Sequence, residues 1–370
     1  MLMLIFRIII FLLGVSLTLF TIFSAIRTFI LPRSARDSLS RFVFRASSKV
    51  FSLISKRVNT YEGRDRIMAY YAPVSLLFLQ VIWLLIIAIA YTGIFWSLGF
   101  EDLLSAYEVS GSSLLTLGFS TVSNPLQASV AFSEATIGLI MIALLIAYLP
   151  TMYSAFSKRE ETVALLEVRA GSPPSAVVML LRYMRLNRLE WLHDLWDDWE
   201  IWFIELGESH TSLPALSFFR SPQPQNSWIT AAGTVLDAAA LFDAALDVPT
   251  DAQARLCIRA GFISLRRICD FFMLPYDPDP KPTDPISVTR MEFDDACNQL
   301  AAEGIPIKAD RDQAWRDYSG WRVNYDVPLL TLAAMLMAPE ARWSSDRSLR
   351  RRPGGKAGSK NRFNRFNKKW

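Results

Sequence analysis

Three long, uninterrupted apolar runs constrain this chain more than any other feature. They cover residues 8–26, which are flanked by Arg7 and Arg27, then roughly 72–98, and then roughly 131–153. About 20 apolar residues in helical form cross the roughly 30 Å hydrocarbon layer of a bilayer. A water-soluble protein of 370 residues does not concentrate its apolar side chains in this way. Backbone polar groups inside lipid must be satisfied within the chain, so each run is expected to be a helix. The fold class that follows is an all-α membrane protein, with every span lying before position 157.

Charge orients the spans. Between Arg33 and Arg66 there are nine basic residues against Asp37, Glu62 and Asp65. From residue 67 to 157 there is no Lys, Arg or His, and the only charges are Glu101, Asp102, Glu108 and Glu134. Basic loops are retained on the cytoplasmic side. The 33–66 loop is therefore expected inside, the segment around 101–133 outside, and the C-terminal part, which opens with Lys158 and Arg159, inside. Small residues at Ser24 and Ala25 also suit a cleaved signal peptide. The first run is long for one, however, and a basic stretch follows it at once, which favours a retained N-terminal span over 1–31. Within the basic linker 32–71, residues 38–57 interleave Leu39, Phe42, Val43, Phe51, Leu53 and Ile54 with Arg41, Arg45, Lys49, Lys56 and Arg57. That pattern suits a helix lying in the membrane interface against anionic lipids.

Between the second and third runs the chain becomes polar. Apolarity stops at Phe100-Glu101-Asp102, and Leu103, Leu104, Tyr107, Leu114 and Leu115 then recur at helical spacing over a length too short to cross a membrane. The string Thr116-Leu117-Gly118-Phe119-Ser120-Thr121 follows. A short helix that dips into the bilayer and returns as extended backbone is tolerated only where that backbone is buried in protein or lines water. Gly118 permits a positive φ, and Thr116 offers both a carbonyl and a hydroxyl. In the third span, Gly138 and Pro150 are expected as bending points, with Pro150 breaking the i→i−4 ladder. Glu101, Asp102 and Glu108, with Glu134 at the start of that span, are the candidate acidic ring of an outer vestibule.

Span, short helix, TxGF string and glycine-containing span together resemble the bacterial two-transmembrane pore-loop ion channel (potassium channel-like) family. The resemblance covers residues 72–156, the expected pore module. It implies ion coordination by the filter residues Thr116, Leu117, Gly118, Phe119 and Ser120, whose backbone carbonyls replace the hydration shell of a permeant K⁺ or another monovalent cation. It also implies gating near Gly138 and Pro150, and a homotetramer, because one pore loop supplies a quarter of a filter. Ser120 stands where the family has its second glycine, and a non-glycine held left-handed costs about 1–2 kcal/mol. Phe119 lacks the phenol that ties the family's filter to its pore helix. The string is also similar to the filter strands of Trk-type potassium transporters, which carry four pore repeats per chain, where one is found here.

Residues 157–346 carry 18 basic and 28 acidic residues and read as a helical cytoplasmic domain. A Trp-rich stripe through Leu192, Leu195, Trp196, Trp199, Trp202 and Phe203 marks one of its helices. His193 and Asp197, four apart, have the spacing to share a cation, but with Asp194, Asp198 and Glu200 beside them they read first as the solvated face of an amphipathic helix. Cys257, Cys269 and Cys297 form no ligand or redox motif. No nucleophile–base or paired-carboxylate arrangement is present, so neither a catalytic site nor a cofactor is expected. Residues 347–370 hold ten basic residues and no acid, and a disordered tail touching anionic lipid is expected there rather than a nucleic-acid binder. The whole reads as a cation channel in the plasma membrane with a cytoplasmic C-terminus. The alternative is a non-conducting membrane-anchored sensor or scaffold that acts through its helical cytoplasmic domain.

Overall fold

Helix α1 (Leu2–Phe29) has the opposite polarity to a helix in water. It buries Gly14, Thr18, Thr21, Ser24 and Ala25 and turns Leu12, Leu13, Phe20 and Phe23 outward. Small residues at this three- and four-residue spacing let two backbones approach closely, which is how helices associate when the surroundings are as apolar as their own side chains. The partner is α4 (Tyr71–Ser97). A Cβ on residue 14 would lie 2.7 Å from the Ala90 carbonyl, so glycine is required at that contact. The computed structural model describes residues 2–30, 37–122 and 124–347. Among these the regular secondary structure is helical, apart from one isolated bridge between Leu246 and Ile307. The expected tail from residue 348 onward lies outside the described residues, as do positions 31–36 of the basic linker.

A buried polar knot joins α1 to the elements that follow. Asp37 caps α2 (Ser38–Ser55) by accepting from the Ser40 amide at 2.6 Å, and the same carboxylate oxygen accepts the Ser24 hydroxyl at 2.8 Å. Ser24 in turn accepts from the Trp83 indole of α4 at 3.0 Å. Phe44 and Phe51 of α2 pack edge-on against Tyr71. The opposite face of α2 exposes Phe42, Val50 and Leu53 beside Arg41, Arg45 and Lys49. The chain then passes through α3 (Tyr61–Ala69) into α4, α5 (Leu103–Leu114) and α6 (Pro125–Ala170).

Helix α6 is continuous through Pro150, where a break in the ladder is expected from the sequence. Proline removes the donor to the Ile146 carbonyl, so that rung of the ladder is missing although the helix runs on. The Thr151 hydroxyl donates to the next carbonyl, that of Ala147, at 3.2 Å.

The chain divides into two units. The first comprises residues up to 162 together with 205–224, and the second comprises 163–204 and 225 onward. Among the described residues, four helices are long and apolar enough to cross a membrane: α1, the α3–α4 stretch, α6, and α9 (Trp228–Ala245). Burial separates the last from the others, because 94% of the apolar window in α9 is enclosed against 11% in α1 and 17% in α6. Helix α9 is thus the central core helix of the second unit, packed by α7 (Ala176–Arg185), α10 (Ala252–Phe272), α12 (Arg311–Arg322) and α13 (Asp326–Leu336). α8 (Leu192–Ser212) buries its Trp-rich stripe, and α11 (Arg290–Ala302) opens with a capping box between Thr289 and Glu292. At the centre, fully buried Arg322 is ion-paired with Asp237 of α9 and with Asp326 at 2.7 Å, and it donates to the Trp343 carbonyl at 2.6 Å. Removing one member of so enclosed a set leaves an uncompensated charge, which typically costs about 3–5 kcal/mol.

The first unit contains its own buried cation. Arg159, near the end of α6, donates to Glu160 at 2.8 Å, to the Leu216 carbonyl at 2.9 Å and to the Phe219 carbonyl at 2.8 Å. Its Nη1 also lies 3.1 Å from His210 Nε2, which must accept, so the histidine is neutral and carries its proton on Nδ1. Burial, reinforced by the Arg159 charge, holds the His210 imidazole well below its ordinary value. The unfolded chain gains a proton at this residue below about pH 6.5 and the folded chain does not, so stability falls as pH drops through that point. The expected loss is up to about 1.4 kcal/mol per pH unit. Thermal melting at pH 7.5 and 5.5 checks it, and the drop in His210→Gln should be smaller than in the parent.

Candidate functional site

Helix α5 begins at Asp102, whose carboxylate accepts from the Ser105 amide at 2.6 Å. Hydrogen bonds from Ser105 hold the Asp102 carboxyl below its usual value. Glu101, Asp102 and Glu108 are exposed. From this end the helix runs inward between α4 and α6. Ser110 is fully buried, and its hydroxyl donates to Glu134 Oε1 at 2.6 Å and reaches the Ala88 carbonyl at 3.1 Å. Ala88 lies nine residues before the end of α4, about 14 Å along its axis. At the far end of α5, the Leu114 carbonyl packs on Gly138, where an added Cβ would stand 2.3 Å from it. Gly138 is thirteen residues into α6, about 20 Å along that helix. Both contacts place the C-terminus of α5 well inside the bundle.

The return path is correspondingly stretched. Ten residues, 115–124, lead from the end of α5 to the start of α6. As a helix they would cover about 15 Å, which is short of the span required. Helix is also absent from the described residues of this stretch. Thr116 has φ +54° and Gly118 has φ +73°. The left-handed conformation expected of Gly118 is therefore present, and a second one falls on Thr116, where the side chain makes it cost about 1–2 kcal/mol. Ser120 is not left-handed, so the expected strain does not arise at that residue. Leu117 and Phe119 are 60% and 65% exposed.

Ser112 ties the segment that follows α5 back to that helix. Its carbonyl accepts from the Leu117 amide at 2.8 Å, and its buried hydroxyl accepts from the Ser120 amide at 3.2 Å. One serine on α5 thus fixes the strand at two points. The string SGSS at 110–113 is the signal for it, since small hydroxyl residues mid-helix serve as inter-element bonds in an apolar setting.

The acidic candidates separate. Glu134 is completely buried, unlike Glu101, Asp102 and Glu108, and its Oε2 has no partner among the described residues. It ties α6 to α5 and does not face solvent beside the other three. The residue before it, Ser133, hydrogen-bonds the Tyr91 hydroxyl of α4 at 2.9 Å. Gly138 makes a helix contact, and Pro150 lies within the continuous α6. In the second unit, His193 faces Asp251 at 3.0 Å and Asp197 accepts from Gln253 at 3.1 Å, so these two do not meet each other. Among the described residues no group of three or more His, Cys, Asp or Glu could hold a metal ion. Cys257, Cys269 and Cys297 are buried free thiols.

Compared with known proteins, the chain matches no family model, no curated protein and no solved structure.

Two glycines of this region should respond oppositely to alanine. In Gly138→Ala the new methyl meets the Leu114 backbone, and the expected loss is about 1–3 kcal/mol. In Gly111→Ala nothing stands within 4 Å, and better helix propensity should give a gain of up to about 1 kcal/mol. Melting in detergent micelles distinguishes the two.

Proposed function

We propose that the chain forms a cation-conducting pore, with K⁺ as the leading candidate ion, in which residues 115–121 form one wall of the filter. The observation that carries this reading is the path of α5. It descends to the level of Gly138, and the chain returns from there in ten residues with two left-handed positions and its apolar side chains exposed. Non-helical backbone at that depth is tolerated only where it lines water or is covered by protein. Four copies around one axis supply both the lining and the cover, so the reading includes a homotetramer in which Thr116, Leu117, Gly118, Phe119 and Ser120 coordinate the ion. The C-terminal end of the α5 dipole then faces the central cavity and favours a cation. Exposed Glu101, Asp102 and Glu108 raise the local cation concentration at the mouth.

Placement in the plasma membrane, with the second unit in the cytoplasm, rests on the basic 33–66 loop and the positive-inside rule. The exposed basic and apolar face of α2 then lies against anionic lipid on that side. No cofactor and no catalytic step belong to this reading.

A second reading is favoured by the separate core of the second unit around α9 and Arg322. A membrane-anchored sensor or scaffold needs only such a body and an anchor. Liposome flux separates the two. Purified full-length protein should run as a tetramer in detergent and pass K⁺ down its gradient. Gly118→Ala should leave the fold of each copy intact, because no atom of its own chain within 4 Å opposes the methyl, while abolishing flux through the strained backbone in protein that still runs as a tetramer. Equal flux in that variant would remove the pore assignment, and no flux in the parent would favour the scaffold.

A further inference from the structure

We infer that residues 213–220 form a bracket beneath the membrane helices that restrains α6 on either side of Pro150; as an account of gating it rests on the pore reading above. These residues follow α8 and include a short 3₁₀ turn, Pro214–Phe218. They belong to the first unit, whereas positions 163–204 of the intervening chain belong to the second. Ala215 and Leu216 are buried in one apolar cluster with Leu76 of α4 and with Tyr148 and Met152 of α6, the two residues that flank Pro150 by two positions. The Phe218 ring meets Tyr71 at the start of α4 at 5.4 Å, and the Phe219 ring meets Phe156 of α6 at 5.8 Å.

Two cations fasten the bracket at different places. Arg159 of α6, 4% exposed, holds the carbonyls of Leu216 and Phe219. Arg220 pairs with Asp65 of α3 at 2.7 Å, with both side chains largely enclosed. Helix α3 leads into α4 through Tyr70 alone. The bracket therefore ties the lower part of α6 to the foot of α4. Any bend at Pro150 that moves Arg159 away from α4 must break one of these fastenings. A proline already lacks the backbone bond that would resist such a bend, so the resistance is supplied from outside the helix. Arg220 and Asp65 are positioning residues for that hinge and touch no ion.

Full-length protein carrying Arg220→Ala tests this with two readouts. Amide hydrogen exchange over residues 146–156 should quicken relative to the parent. K⁺ flux into liposomes should rise about tenfold, within the range of ordinary coupling energies. The charge-reversed pair Asp65→Arg with Arg220→Asp should return both towards the parent values. Unchanged exchange in a correctly assembled Arg220→Ala protein overturns the bracket. Quickened exchange with unchanged or reduced flux overturns its role in gating. If the parent passes no K⁺, the pore reading fails, and exchange alone still decides whether the restraint exists. Should Arg220→Ala fail to assemble, Phe218→Ala loosens the same bracket at Tyr71, leaves the ion pair in place, and is read by the same criteria.

Discussion

The carbonyl of Leu114 occupies the space in which a Cβ on residue 138 would stand, and the arrangement of the first unit depends on that approach. With α5 seated there, Ser110 reaches Ala88 and Glu134, Ser112 reaches the strand that follows, and the strand has to return over the length of two α6 turns or more. A bulkier residue would lift α5 and undo all three at once. The contact resembles that between Gly14 and Ala90. In both, a missing side chain replaces the hydrophobic driving force that lipid cannot supply between helices.

Polar groups inside the bundle follow from the same surroundings. Each is expensive in hydrocarbon unless bonded, so most are used to join elements. Ser24, Asp37 and Trp83 join α1, α2 and α4, while Tyr91 and Ser133 join α4 to α6. Gln80 departs from the pattern. It is buried on α4, and neither amide atom finds a partner among the described residues.

What the sequence made legible, and what it hid, divides along physical lines. Hydropathy located α1, α4 and α6 because a bilayer imposes a minimum length on an apolar helix. Residue type was enough to place a positive φ at Gly118. Glu134 misled, because an acid at the head of an apolar run is ordinarily a solvated boundary, and only the facing Ser110 shows that it is buried. Residue type alone did not show that Gly138 also admits the Leu114 carbonyl, or that α6 stays helical through Pro150. Glycine serves both bending and close approach, and a proline inside a helix removes one donor without ending the helix. Helix α9 is apolar enough to pass for a span, and its burial becomes visible only with α7, α10, α12 and α13 around it. Residues 213–220 could not have been assigned to the membrane unit at all, since a contact so remote along the chain leaves no periodic trace.

The return of those residues also bears on synthesis. Translation finishes α6 at residue 170, yet the patch formed by Leu76, Tyr148 and Met152 has no cover until Ala215, Leu216 and the residues just after them have emerged. At ribosomal speeds of about 5–20 residues per second, the stretch from 171 to 220 takes several seconds. During that interval the newly made chain presents an apolar, proline-bearing surface that its own later residues will cover.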